Sequence, residues 1–78
     1  MPTILIEDGY RFFFYSNDHL PQHIHVEKAD KTAKFIIEPV VLIKSVKFNS
    51  KELKSIRSII EDNSEHFKAK WNEHLGNN

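Results

Sequence analysis

The amino-acid sequence predicts an α+β fold: a small antiparallel sheet of about four strands packed against one long C-terminal amphipathic helix, which can kink in its middle. Short apolar runs separated by turn-forming residues fill the first half of the chain, a pattern typical of strands joined by hairpins. From Leu53 to Leu75 the apolar residues instead recur at the spacing of a helix. With 78 residues the chain is too short for two hydrophobic cores, so residues 1–78 are expected to form a single domain.

An Asp-Gly pair separates the first two predicted strands. Residues 3–6 form a short β-branched run, residues 10–15 are mostly aromatic, and Asp8-Gly9 lies between them. This pair favours a tight hairpin because glycine adopts positive φ without steric cost. Both faces of the second strand carry aromatic residues, so we expect it to be central in the sheet. Residues 16–22 then form a loop rich in turn-forming residues.

A second hairpin is predicted in the middle of the chain. Residues 23–28 and 32–38 alternate between apolar and polar positions, with a short polar break between them. Pro39 ends this pattern because proline cannot donate a hydrogen bond to a neighbouring strand. The apolar run at 40–43 fits either a further strand or a buried connector.

The last predicted element is the helix. Asn49 is expected to cap it, and Glu52 three residues later completes a capping box. At Asn63 and Ser64 one helical turn lacks an apolar residue. The apolar residues before and after this turn still fall on the same side of a continuous helix, which favours one long helix over two. Gly76 suits the end, because glycine adopts the left-handed conformation that terminates many helices.

The composition narrows the function classes. Eleven basic residues balance eleven acidic ones, so the net charge does not indicate a broad phosphate-binding surface, although a small RNA site remains compatible with it. The absence of cysteine excludes disulfides and thiolate metal sites. No apolar run is long enough for a membrane helix, and the first residues lack the pattern of a signal peptide. The expected location is therefore the cytoplasm, with no membrane association.

Three of the five histidines lie within seven residues, and they are the main candidates for function. On a strand, His23, His25 and Glu27 share one face, while Ile24 and Val26 share the other. The apolar pair is expected to face the core. The polar row is then expected to face water, a ligand or a partner.

A metal site is one interpretation of these residues. Imidazole suits zinc and other divalent transition metals, and His-x-His on a strand directs two rings to the same side. His19 from the loop or Glu27 from the strand would complete a three-ligand site, His19, His23 and His25 being the first choice. The alternative to a metal site is a purely structural role, in which the strand face is solvated and its histidines form hydrogen bonds with neighbouring backbone groups.

General acid–base catalysis is the second interpretation. Histidine titrates near neutrality, so a pair drawn from His19, His23 and His25 can supply the base and the acid that metal-free RNA cleavage requires. Arg11, Tyr15 or Lys34 could stabilise the negative charge that develops on phosphorus. Which of these side chains share the face of the histidines depends on the strand register, which the sequence leaves open.

Several runs also carry a family resemblance: Gly-Tyr-Arg-Phe-Phe-Phe-Tyr-Ser-Asn-Asp-His, Pro-x-His-Ile-His-Val-Glu, Glu-Pro-Val and Lys-Trp-Asn-Glu-His. With them, nearly the whole chain resembles a small bacterial family, domain-of-unknown-function family 4160, and residues 41–48 depart most from its pattern. The resemblance implies a toxin-like member of a two-gene toxin–antitoxin-type module, paired with a small protein encoded nearby. It supplies no catalytic residues.

The first hypothesis is therefore a toxin-like protein that acts on RNA through a histidine-rich strand face. Its candidate catalytic residues are His23, His25, His19, Arg11, Tyr15 and Glu27. The alternatives are a non-catalytic regulatory module that binds a partner protein, and a small metal-binding protein. The sequence does not decide whether the protein is an enzyme.

Overall fold

The computed structural model describes residues 3–76 and confirms the α+β class. Its elements follow the chain as β1 (Thr3–Glu7), β2 (Tyr10–Phe13), β3 (His23–Lys28), β4 (Lys31–Ile36), β5 (Val41–Val46), α1 (Ser50–Asp62) and α2 (Ser64–Leu75). The strands lie in the order β1-β2-β3-β4-β5, and each pairs antiparallel with its neighbours. The sheet thus has five strands where the sequence predicted about four, because residues 41–43 of the apolar run at 40–43 belong to β5 and not to a connector. Neither helix is long and apolar enough to cross a membrane.

The first hairpin turns as the Asp-Gly pair predicts. Asp8 and Gly9 both have positive φ, 54° and 82°. Positive φ at both central residues is the mark of the mirror-image turn whose twist matches that of paired strands. The turn joins two neighbouring strands, and Glu7 pairs with Tyr10 directly before and after it.

The core lies between the two helices and one face of the sheet. Phe12 packs against Phe67 with ring centroids 5.4 Å apart, and Phe14 meets Trp71 edge-on at 5.3 Å. Ile24 is fully buried in the same cluster. The predicted inward residues of the central strands therefore do face the core. The remaining fully buried or nearly fully buried members are Val26, Phe35, Ile37, Ile56 and Ile60.

The helical part begins as predicted, with the capping box at Asn49 formed in both directions. The Asn49 side chain accepts a hydrogen bond from the Glu52 backbone N–H at 2.8 Å, and Glu52 accepts from the Asn49 N–H at 3.0 Å. At the far end Gly76 adopts positive φ and donates its N–H to the Asn72 carbonyl.

The expectation of a single long helix was wrong, since the helix is interrupted at Asn63. This residue leaves helical geometry at φ −118° and ψ 15°. Its side-chain amide donates to the Ile59 carbonyl at 2.8 Å, so it competes with the backbone for a helical acceptor. The Asn63 carbonyl accepts from Phe67 N–H at 2.9 Å, so α2 starts at once. The apolar stripe consequently stays on the sheet side, and Trp71 is fully buried.

Candidate functional site

The strand register places most of the predicted site residues on the face of the sheet opposite the helices. Arg11 lies across from Glu27, and His25 lies between Phe13 and Lys34 on its two neighbouring strands. We call this side the histidine face, formed by Arg11, Phe13, His25, Glu27, Lys34 and Lys44. The observed strand register, which the sequence left open, brings Lys34 and Arg11 to the same side of the sheet as His25.

The carboxylate of Asp18 lies between the rings of His23 and His25. Its side chain is about one-tenth exposed, and its Oδ1 and Oδ2 lie 3.1 Å from the Nε2 atoms of His23 and His25, respectively. The loop holds it there because Asp18 Oδ2 accepts the Tyr15 backbone N–H at 2.9 Å, while Tyr15 O accepts the Asp18 N–H at 3.1 Å. Asp18, His23 and His25 offer ligand atoms that all lie within 4.8 Å of one another. We call these three residues the Asp–His cluster.

His23 is buried, contrary to the expectation that the polar row of β3 faces water. Its ring meets Trp71 at 5.1 Å between centroids, at the end of the sheet where α2 and the loop close over the strand. Because a carbonyl only accepts, the 2.8 Å contact to the Pro21 oxygen assigns a proton to Nδ1 of His23. Nε2 lies close to Asp18, but the ring does not direct a hydrogen bond at that carboxylate. This buried nitrogen therefore has no hydrogen-bond partner within residues 3–76.

His25 is half-buried among aromatic rings. It stacks on Phe13 at 5.5 Å and meets Tyr15 edge-on at 4.6 Å. Burial lowers the pKa of His25, and the attraction of Asp18 for the protonated ring only partly offsets this effect. A neutral His25 donates its Nε2–H to the carboxylate, which leaves the lone pair on Nδ1.

Asp18 is held in its charged form. Burial opposes ionisation, but the hydrogen bonds from the Tyr15 N–H and from the His25 ring outweigh it, so the pKa of this carboxyl lies below its usual value. At neutral pH the arrangement is a carboxylate beside a neutral imidazole. A carboxylate in this position orients the ring and stabilises an imidazolium if His25 takes up a proton.

The predicted residues Arg11, Glu27 and His19 lie outside the Asp–His cluster. Arg11 forms an ion pair with Glu27 and stacks over Phe13 at 4.2 Å, so the charges of this pair offset each other beside the cluster. His19 is exposed and is not part of the group of three potential ligands. Asp18 occupies that position instead. The sequence did not place Asp18 among the candidate ligands or catalytic residues, although it is the sole acidic residue in the loop at 16–22 and lies next to His19.

Two concave surfaces flank the Asp–His cluster. One, of about 450 Å³, is lined by Asp18, His19, His23 and Lys34, and the other, of about 340 Å³, by Tyr15, His25, Lys34 and Lys44. Lys34 lines both. Neither Lys34 nor Lys44 has an ion-pair partner in the part of the chain described. The site therefore combines an oriented imidazole with two ammonium groups, a set suited to an anionic substrate.

Comparison with known families gives a match over most of the chain. The model of the domain of unknown function DUF4160 matches residues 9–72, a span that contains the Asp–His cluster and both flanking surfaces. Comparisons with curated proteins and with solved structures give no match.

Proposed function

We propose, from the premise that the chain belongs to the DUF4160 family, that it is the toxin-like component of a bacterial two-protein pair and cleaves RNA at its histidine face. The toxin-like role and the partner encoded nearby follow from the resemblance described above, and a cytoplasmic setting is part of the same proposal. The RNA chemistry is supported by one observation above all. Asp18 orients His25 beside a concave surface that also carries Lys34 and Lys44.

In the proposed reaction His25 is the general base. Its Nδ1 takes the proton of a ribose 2′-hydroxyl while Asp18 holds Nε2–H, and the 2′-oxygen attacks the adjacent phosphorus. Lys34 and Lys44 stabilise the added negative charge on the phosphoryl oxygens. The 5′-oxygen leaves and takes a proton from His19, which lines the adjoining surface. The products are a 2′,3′-cyclic phosphate and a free 5′-hydroxyl.

The test uses purified protein and an end-labelled RNA oligonucleotide in the presence of EDTA. We expect cleavage to a cyclic phosphate end, and no cleavage of the DNA oligonucleotide of the same sequence, which lacks the nucleophile. His25→Gln should lose about 10²-fold or more in rate, the usual size of a general-base contribution. Lys34→Ala should lose about 10²-fold as well, because it removes a charge that stabilises the phosphoryl oxygens. The matched control is His66→Ala on α2, an exposed histidine distant in sequence from the cluster, and it should cleave as the wild type does.

Growth of the host reports on the same proposal. Expression of the wild type should arrest growth, and co-expression of the neighbouring gene should relieve the arrest. Intact RNA under all conditions would contradict the catalytic mechanism. Arrest that persists in folded His25→Gln protein would favour the non-catalytic module that acts by binding a partner protein.

A metal-binding function is the second candidate, because the Nε2 of His23 is buried and no group of the described residues forms a hydrogen bond with it. The Nδ1–H of the same ring is held by a backbone carbonyl, the arrangement that commonly orients metal-ligating histidines. His23, His25 and Asp18 would hold a divalent transition metal such as zinc, with Asp18 in the place that the sequence offered to His19. The donor set fits this ion.

Chelation by EDTA distinguishes the metal-binding function from the metal-free cleavage of RNA. Purified protein that retains about one equivalent of metal, and loses stability on chelation, would favour the metal function. Asp18→Asn should abolish that retention, whereas His19→Ala should not. Protein that is metal-free and whose melting curve is unchanged by added zinc would exclude it.

A further inference from the structure

The outer edge of β5 is open and apolar. Within residues 3–76, β5 is the last strand of the sheet and pairs with β4 alone, so its backbone N–H and C=O groups on the other side are open to pairing with another strand. Five of its six residues are exposed. Four of these are large aliphatic residues, Val41, Leu42, Ile43 and Val46, and Ile43 is 51 % exposed. An edge of this kind favours the addition of a strand.

The same edge is basic, although the chain as a whole is neutral. Residues 40–60 contain five basic side chains, of which Lys47 is paired with Asp30, and a single acidic one, Glu52, which is paired with Lys31. Lys44 lies in the strand itself, and Lys51 and Lys54 are exposed on the first two turns of α1. A strand paired with β5 would therefore lie among positive charges.

A shallow concave surface continues the edge toward the helices. It has a volume of about 280 Å³ and is lined by Leu42, Leu53, Lys54 and Arg57, among others. Arg57 is held in place because it donates to the Val40 carbonyl at 2.7 Å. Side chains of an added strand alternate between two faces. Those on one face would contact this surface, and those on the other would meet Lys44 and Val46.

The chemistry of the edge selects one class of occupant. A second copy of the chain would bring two basic edges together, which costs free energy by like-charge repulsion. RNA would gain from the lysines, but the exposed residues of β5 are aliphatic and offer no aromatic ring for base stacking. An extended protein segment with alternating acidic and apolar residues satisfies the open backbone, the apolar side chains and the charge together.

We propose that β5 docks such an acidic, apolar segment of a partner protein as a sixth strand. β5 has six residues, so about six residues of the partner would pair with it, a length of about 20 Å. Ile43 and Lys44 of β5 also line the surfaces that flank the Asp–His cluster, whereas Lys51 and Lys54 on α1 do not. The inference goes beyond the proposed RNA chemistry, because the docked segment is recognised by the backbone of β5 and by these two lysines of α1. It holds whether or not the protein cleaves RNA.

The experiment uses a fluorescein-labelled eight-residue peptide of alternating glutamate and valine, with fluorescence anisotropy as the measure of binding. The control peptide carries lysine in place of glutamate. We expect the wild type to bind the acidic peptide only. Amide hydrogen exchange should then slow along β5, because the added strand protects the N–H groups at that edge.

Matched variants test whether the acidic peptide binds at the edge of β5. Ile43→Asp should weaken binding of the acidic peptide about tenfold or more, and so should the combination of Lys51→Glu with Lys54→Glu, which leaves β5 unaltered. Ile6→Asp is the control, since Ile6 is exposed on β1 at the other end of the sheet, beside Glu7 and Asp8. It should bind like the wild type, and all variants should keep the wild-type circular dichroism spectrum.

Several outcomes would overturn the proposal. They are no binding of the acidic peptide, equal binding of both peptides, or binding that none of the β5 and α1 variants weakens. A wild-type dimer in analytical ultracentrifugation that Ile43→Asp dissociates would assign the edge to a second copy. An RNA oligonucleotide could instead slow amide hydrogen exchange along β5. If the combination of Lys51→Glu with Lys54→Glu abolished this protection and Ile43→Asp retained it, the edge would be assigned to nucleic acid.

Discussion

Replacing Asp18 by asparagine is expected to destabilise the fold at neutral pH as well as to impair the site. The side chain is about nine-tenths buried, so solvent screens its contacts little. Asparagine has the same shape and keeps one oxygen that can accept the Tyr15 N–H. It cannot keep the negative charge that accepts from His25 at 3.1 Å.

The size of the effect follows from the charge that is lost. Oδ2 of Asp18 accepts from both Tyr15 and His25, and the asparagine oxygen can take its place, so these bonds change from charged to neutral. A hydrogen bond to a charged group contributes about 1.5–3 kcal/mol and a neutral one about 0.5–1.5 kcal/mol, so the substitution should cost about 1 kcal/mol or more. For a domain of this size each kcal/mol shifts the melting temperature by about 4–8 °C. Asp18→Asn should therefore melt visibly below the wild type at pH 7.

Urea unfolding at several pH values checks both the size and the cause. Because the folded-state pKa of Asp18 is lowered, its contribution is present above the usual value of 3.8 and is lost as the pH falls through the folded pKa. The difference between variant and wild type should thus shrink in acid. His19→Ala is the neighbouring control and should stay within about ±0.5 kcal/mol, because His19 is exposed. Equal stability of Asp18→Asn and wild type at pH 7 would refute the reasoning.

Further changes test the core, the first turn and His25. Trp71→Ala should lower the free energy of unfolding by about 3–5 kcal/mol, since Trp71 is fully buried; an unchanged melting temperature would show that its ring does not contribute to the core. Gly9→Val should destabilise more than Gly9→Asn, because Gly9 has φ 82° and asparagine tolerates positive φ better than a β-branched residue; thermal melts that coincide would remove the turn argument. Stability should also fall as the pH drops below about 6.5. Burial, together with the nearby charges of His23 and Lys34, lowers the pKa of His25 more than Asp18 raises it, so the unfolded chain takes up the proton first. His25→Gln, measured in EDTA, should flatten that part of the pH profile, and a profile identical to that of the wild type would assign the loss to other groups.

The elements that depend on short-range patterns were predictable from the sequence. The turn at Asp8-Gly9 and the capping box at Asn49 and Glu52 each involve residues within a few positions of one another. The inward direction of Ile24 follows from strand alternation alone. The α+β class follows from the same local periods, since strand and helix patterns occupy different halves of the chain.

The site depended on contacts between residues distant in the chain. Asp18 is five residues from His23, and only the folding of the loop at 16–22 over the end of β3 brings its carboxylate against both rings. The burial of His23 is due to Trp71, 48 positions later, and no period within β3 predicts it. Lys34 reaches His25 through the register between β3 and β4, which the packing of whole strands determines. Local periodicity thus decided which residues face the core, whereas tertiary packing decided which polar residues meet, because those contacts form only after the loop and α2 close over the strand.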